Sequence, residues 1–231
     1  MVARTEFWVL LVMSMSIVAM REFFLAFGAP FLTHAYCRTD TTGLSLSACV
    51  SSDSAASAGV FASTLFPFVG SLSSVVAGAL KDARPRHDRG KLLVAFMVPL
   101  LVTVVAMWRL QQRLPFQLAL LLVLLVGVTL SGPYSLVRGA LAVDLGGKER
   151  AGLAASLLGI GGSSGSVLIM ALKARLGGDW QALFLVLGAF AATGTLASAA
   201  LWQLDLAAAA EDRTAVAEQG GMEEGTRRAK D

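Results

Sequence analysis

Long apolar runs, separated by short polar stretches, organise this chain. Six runs are legible: Phe7 to Leu32, Ala55 to Leu80, Leu92 to Trp108, Phe116 to Val143, Gly152 to Leu172 and Trp180 to Leu204. About 20 apolar residues in a helix cross the hydrocarbon of a bilayer, and every run reaches or nears that length. The runs are apolar all round and longer than the roughly 10-residue alternating strands of a membrane barrel. In lipid a helix satisfies its own backbone amides within the segment. The predicted fold class is therefore all-α, a polytopic membrane protein with six transmembrane helices over residues 1–205. An alanine run and a charged, glycine-containing segment at 206–231 then predict a disordered cytoplasmic tail.

The first run reads as a retained helix rather than a cleaved leader. Arg4 precedes it, but so does Glu6, and no small-residue cleavage site comes before Arg21 and Glu22.

Composition supports the same class. The chain has 231 residues, 55% of them hydrophobic and only 15% charged, against about 25% charged in an average soluble domain. Mean hydropathy is +0.68. A soluble chain of this size could not hide so much apolar surface, whereas lipid accepts it.

The formal net charge of +3 does not point to nucleic acid, because of where the bases sit. Five of the 19 Lys and Arg residues fall within Lys81 to Lys91 and four in the last nineteen positions. Such clusters mark the cytoplasmic flanks of membrane spans. With the N-terminus inside, the inner segments before the tail carry eight bases: Arg4, Lys81, Arg84, Arg86, Arg89, Lys91, Lys148 and Arg150. The outer loops carry five: Arg38, Arg109, Arg113, Lys173 and Arg175. This excess sets the expected topology.

Cys37 and Cys49 share one polar loop, which fits either a small disulfide-closed loop on an oxidising face or two free thiols. No metal-ligand spacing includes them, and the two histidines, His34 and His87, are far apart. No metal site and no cofactor is expected.

Charges inside the runs carry the candidate chemistry. Arg21 lies about 21 Å into the first span at about 1.5 Å per residue, too deep for easy snorkelling. Intramembrane charges are costly and by default line a cavity or pathway. A guanidinium offers a planar fork of donors for phosphate or carboxylate oxygens. Arg21 is therefore the candidate anion-binding residue, with Glu22 beside it as a substrate-site carboxylate or the partner of a base elsewhere. Adjacent helical residues point about 100° apart, so Glu22 is not expected to be the partner of Arg21.

Arg138 and Asp144, toward the inner end of the fourth span, are expected to fasten helix ends. In the fifth span, Gly161 and Gly165 form a small-xxx-small pair that lets two helix backbones approach closely. The surrounding GIGGSSGS is not a nucleotide loop, having no preceding strand and no lysine at Walker spacing. The metalloprotease, paired-aspartate and serine–histidine arrangements are missing from the sequence, so no enzyme activity is expected.

Three segments, GALKDARPRHDRGK (Gly78 to Lys91), GPYSLVRGALAVDLG (Gly132 to Gly146) and MREFFLAFGAPFL (Met20 to Leu32), carry a family resemblance. Together they resemble the C-terminal six-helix half of the major facilitator superfamily, of the organophosphate:phosphate antiporter type. The first is similar to the superfamily's loop with a glycine, an aspartate and trailing bases. Gly78 and Asp82 match it, and Arg89 is among the bases, which arrive late around Pro85 and His87. The second resembles the Gly-Pro-Tyr segment and the following Asp-Leu-Gly of sugar-phosphate exchangers, with Gly132, Pro133 and Asp144 in matching places. The third is similar to the seventh-helix segment in which Arg21 falls on a phosphate-binding arginine.

The resemblance implies that residues 6 to 204 correspond to helices seven to twelve. It implies transport by rocking of two halves about a midplane site, with organophosphate and inorganic phosphate as substrates and an N-terminal six-helix half as partner. Gly78, Asp82, Arg89, Gly132, Pro133 and Asp144 would serve gating. A different reading is a non-transporting membrane scaffold that holds another membrane protein through the glycine-bearing fifth helix.

Overall fold

In the computed structural model, described residues are 5–39, 49–50, 52–83, 88–111, 113–177 and 179–228, with side chains followed to Ala210. Arg4, most of the polar Ser/Thr loop, and Arg84, Pro85, Arg86 and His87 of the basic loop lie outside this set, as does the side chain of Lys148. The elements are all helices: α1 Thr5–Thr39, α2 Asp53–Asp82, α3 Arg89–Leu110, α4 Phe116–Arg138, α5 Ala140–Leu176 and α6 Trp180–Arg228. Six spans are long and apolar enough to cross a membrane, so the chain is an integral, multi-pass all-α membrane protein.

Two boundaries differ from the sequence reading. α4 ends at Arg138, where Gly139 takes a non-helical φ of −100° and ψ of −91°, and the fourth apolar span continues to Gly147. Gly147, at φ 63° and ψ −176°, then breaks α5 into the end of the fourth span and the start of the fifth. That left-handed conformation is open to glycine at little cost. At the other end, α6 continues past the end of the sixth apolar run at Leu204 and is helical to Arg228. Ala207 to Ala210 carry it on, because alanine loses no side-chain entropy in a helix.

The core is arranged around α1, which packs against α2, α4, α5 and α6, while α3 pairs with α6 and α4, and α2 with α4. Met13, Ile17, Met20, Phe23 and Leu32 of α1 are fully buried among Leu130 of α4, Leu158 of α5 and Phe184 of α6. Lipid tails are as apolar as leucine, so packing and hydrogen bonds rather than water exclusion must hold membrane helices together. Small residues and hydroxyls supply both. Ser14 of α1 donates to the Leu158 carbonyl of α5 at 2.8 Å, Thr195 of α6 to Met97 of α3 at 3.3 Å, and Ser73 of α2 to Val128 of α4.

Gly161 and Gly165 lie on the face of α5 turned to α1. A β-carbon built at Gly165 would stand 2.3 Å from the Met15 carbonyl oxygen, and one at Gly161 2.4 Å from Leu11. Gly132 and Pro133 are buried in α4, where a β-carbon on Gly132 would stand 3.0 Å from Phe96 and 3.2 Å from Ala77.

Apolar faces remain on the outside. Phe61, Phe68, Leu72 and Val75 of α2, and Leu153, Ile160 and Val167 of α5, are all more than half exposed. In water such a surface would drive aggregation, whereas against acyl chains it costs nothing.

Of the two options for the cysteines, the structure takes the disulfide, with Cys37 and Cys49 bonded and their α-carbons 5.7 Å apart. The bond joins the end of α1 to the approach to α2, at the opposite end of those helices from Lys81. Persistent disulfides belong to oxidising compartments. This agrees with the topology from the basic residues, which puts that loop outside.

Two measurements test this architecture. Without reductant, a maleimide added to the denatured protein is expected to label neither cysteine, and after reduction both; two reactive thiols in the untreated protein would refute the crosslink. Gly165→Leu should force α1 from α5 at a cost of about 1–3 kcal/mol, read as a melting temperature several degrees lower in detergent. An unchanged melting temperature would mean that the two helices do not meet there.

Candidate functional site

Arg21 stands at the centre of the span Thr5–Arg38, so neither end of the helix brings it near a surface. Its side chain is 29% exposed and opens on a cleft. The cleft is walled by Arg21 and Leu25 of α1, by Phe66, Pro67, Gly70, Ser71 and Ser74 of α2, and by Ser131, Tyr134 and Ser135 of α4 and its end. Its volume is about 240 Å³, below the roughly 300–1,000 Å³ of drug-sized ligand sites and in proportion to a small metabolite.

The arginine has two neighbours. Its Nη1 donates to Glu22 Oε1 at 2.9 Å, and its guanidinium lies 4.6 Å from the centre of the Tyr134 ring. The ion pair corrects the expectation that Glu22 would not reach it. The two β-carbons do leave the helix about 100° apart. Both side chains are long, however, and the guanidinium tip folds back across the helix surface to the carboxylate. In a medium with little water, the alternative is an unneutralised cation, which costs more than the bent side chain. The aromatic ring adds about 0.5–2 kcal/mol of cation–π attraction.

The serines give the cleft a second character. Ser71 donates to the Pro67 carbonyl at 2.9 Å, Ser135 to Gly132 at 2.9 Å, and Ser74 to Gly70 and Ser131 at 3.1 Å each. With their protons committed to backbone carbonyls, these oxygens present lone pairs to the cleft. One wall thus offers cationic donors for an anion, and the other offers acceptors for hydroxyl groups.

Arg138, the last residue of α4, sits behind Tyr134. Its Nη1 donates to the Tyr134 hydroxyl at 2.8 Å, its Nη2 to the Gly159 carbonyl of α5 at 3.4 Å, and its guanidinium lies 5.0 Å from the ring centre. It therefore ties α4 to α5 inside the span.

A second cluster occupies the inner end. Asp144 stands 3.7 Å from both Lys81 of α2 and Arg89 of α3, and Arg89 reaches Asp205 of α6 at 3.1 Å. Asp205 also accepts from the Gly90 amide at 2.8 Å. A carboxylate at the positive N-terminal end of α3 is favourable in its own right. Asp205 is 1% exposed, the most buried acid of the network. These four side chains tie α2, α3, α5 and α6 together. Asp82 and Gly78, by contrast, lie at the end of α2 outside the network, with Asp82 exposed.

Of the residues singled out from sequence, then, Arg21 and Glu22 meet at the cleft, Arg89 and Asp144 meet at the inner end, and Gly132 and Pro133 support α4 between the two. Gly161 and Gly165 face α1. Asp205, Tyr134 and the four cleft serines went unread. Asp205 had one visible signal, a lone acid following the apolar run LASAALWQL. Among the described residues, no cluster of His, Cys, Asp or Glu could hold a metal ion. No protein-family model and no curated protein matches the chain.

Removing Asp205 leaves Arg89 without its closest partner and the α3 terminus uncapped. Asp205→Ala should lower stability by about 3 kcal/mol, a fall of roughly 6–12 °C in melting temperature for a chain of this length. A shift of less than a degree in detergent would show that the network carries no weight.

Proposed function

We propose that this chain is one half of a secondary transporter that carries a small phosphorylated metabolite, a sugar phosphate or glycerol 3-phosphate, in exchange for inorganic phosphate. The observation that carries the reading is Arg21, a partly exposed guanidinium at mid-membrane that opens on a cleft lined with serine hydroxyls. A structural arginine would be enclosed by its partners. This one keeps part of its fork of donors turned to open space, the arrangement a phosphate oxygen needs.

Glu22 has a definite role in this scheme. It neutralises Arg21 while the site is empty and gives way when phosphate arrives, so the guanidinium exchanges one anion for another rather than being left bare. The serine oxygens receive the hydroxyls of the organic part. A single guanidinium contact per half also keeps binding weak enough for release, which conduction or exchange requires.

Alternating access follows from rocking against a second six-helix half, which would supply the facing wall of the cavity. The exposed apolar faces of α2, which walls the cleft, and of α5 are suited to that partner and to lipid. The inner network of Lys81, Arg89, Asp144 and Asp205 keeps this half rigid as it moves, with Gly132 and Pro133 allowing α4 close approach to its neighbours.

The test is counterflow in liposomes that contain the chain and its partner half, loaded with inorganic phosphate and offered labelled phosphate esters. Arg21→Ala is expected to abolish organophosphate uptake while membrane insertion stays intact. Near-normal uptake by that variant would rule out the role assigned to Arg21.

A further inference from the structure

Arg138 carries a charge that no carboxylate among the described residues answers. The ion pairs nearest to it join Arg21 to Glu22, and the acids of the inner end are taken by Lys81 and Arg89. Its own contacts are neutral: the Tyr134 hydroxyl at 2.8 Å, the Gly159 carbonyl at 3.4 Å, and the Tyr134 ring at 5.0 Å. Its Nε is buried with no partner. Arg21 lies 4.6 Å from the centre of that same ring. Two guanidiniums thus share one tyrosine, with Glu22 as the carboxylate set against them, and the group keeps a net positive charge within the span.

An uncompensated cation in this medium is expensive. It is consistent with a group completed by a ligand of more than one negative charge. Tyr134 connects the two bases to that ligand, because it lines the cleft and Arg138 does not. A phenol hydroxyl that accepts from Arg138 keeps its own proton for another acceptor, and a charged donor polarises it and strengthens that second bond.

We propose that Arg138 is a positioning residue for Tyr134 that makes the cleft selective for dianions: it fixes the phenol as a second hydrogen-bond donor beside Arg21, and its charge adds to that of Arg21. The favoured ligand class is the phosphate monoester, doubly charged at neutral pH, over singly charged phosphate diesters. This rests on the anion-binding reading of the cleft given above.

Calorimetric binding of methyl phosphate and of dimethyl phosphate to the full chain together with its partner half in detergent, at about pH 8 where the monoester is a dianion, separates the possibilities. The wild type should prefer methyl phosphate. Arg138→Gln should weaken methyl phosphate about tenfold or more, as loss of a charge-assisted contact does, and dimethyl phosphate less than about twofold. Tyr134→Phe, which keeps the ring, should also weaken the monoester more than the diester, and Arg138→Lys should retain part of the preference.

Equal losses for both ligands in Arg138→Gln, or in Tyr134→Phe if the first variant does not fold, would assign Arg138 a merely structural role and overturn the proposal. Unchanged binding in Arg138→Gln would overturn it as well. In either case a loss of binding in Arg21→Gln leaves the anion-site reading standing. A wild type that binds neither phosphate overturns that reading and, with it, this one.

Discussion

A guanidinium in the middle of a membrane helix has to be neutralised, and around Arg21 that requirement organises the most informative part of the molecule. Neither snorkelling nor an acid on a neighbouring helix is used. The charge is met from within α1 by Glu22 and from α4 by the face of Tyr134. Meeting it there draws α1 and α4 together at the midpoint of the bundle and leaves the third side, toward α2, as a cleft. The cleft is thus a consequence of how the charge is held. Arg138 extends the same arrangement one turn further along α4 and across to α5.

The remainder of the bundle solves a different problem, cohesion in a solvent that gives apolar contacts no advantage. Its means are short side chains and hydroxyl-to-carbonyl bonds at helix crossings, such as Ser14 to Leu158 and Ser73 to Val128. Glycines let α5 lie directly on α1. At the inner surface, where water and ions are at hand, charge takes over, and Asp144 and Asp205 collect the ends of α2 and α3 through Lys81 and Arg89.

α2 and α5 are the helices whose apolar sides are least covered within the chain. α2 walls the cleft together with α1 and α4, and α5 packs against those two helices.

The class of protein and the number of spans were legible in residue order alone. They depend on a local quantity, run length against bilayer thickness. The same locality singled out Arg21, since a charge amid apolar neighbours is visible wherever the chain goes. Sequence could not show that Arg21 would turn to Glu22, because direction along a helix says nothing of how far a flexible side chain folds back. Nor could it show that Tyr134 would stand between two arginines, that four serines from two helices would share one cleft, or that Asp205 would cap α3. Each of these depends on which helices become neighbours. That choice is made by packing between segments far apart in the chain, and only the tertiary structure fixes it.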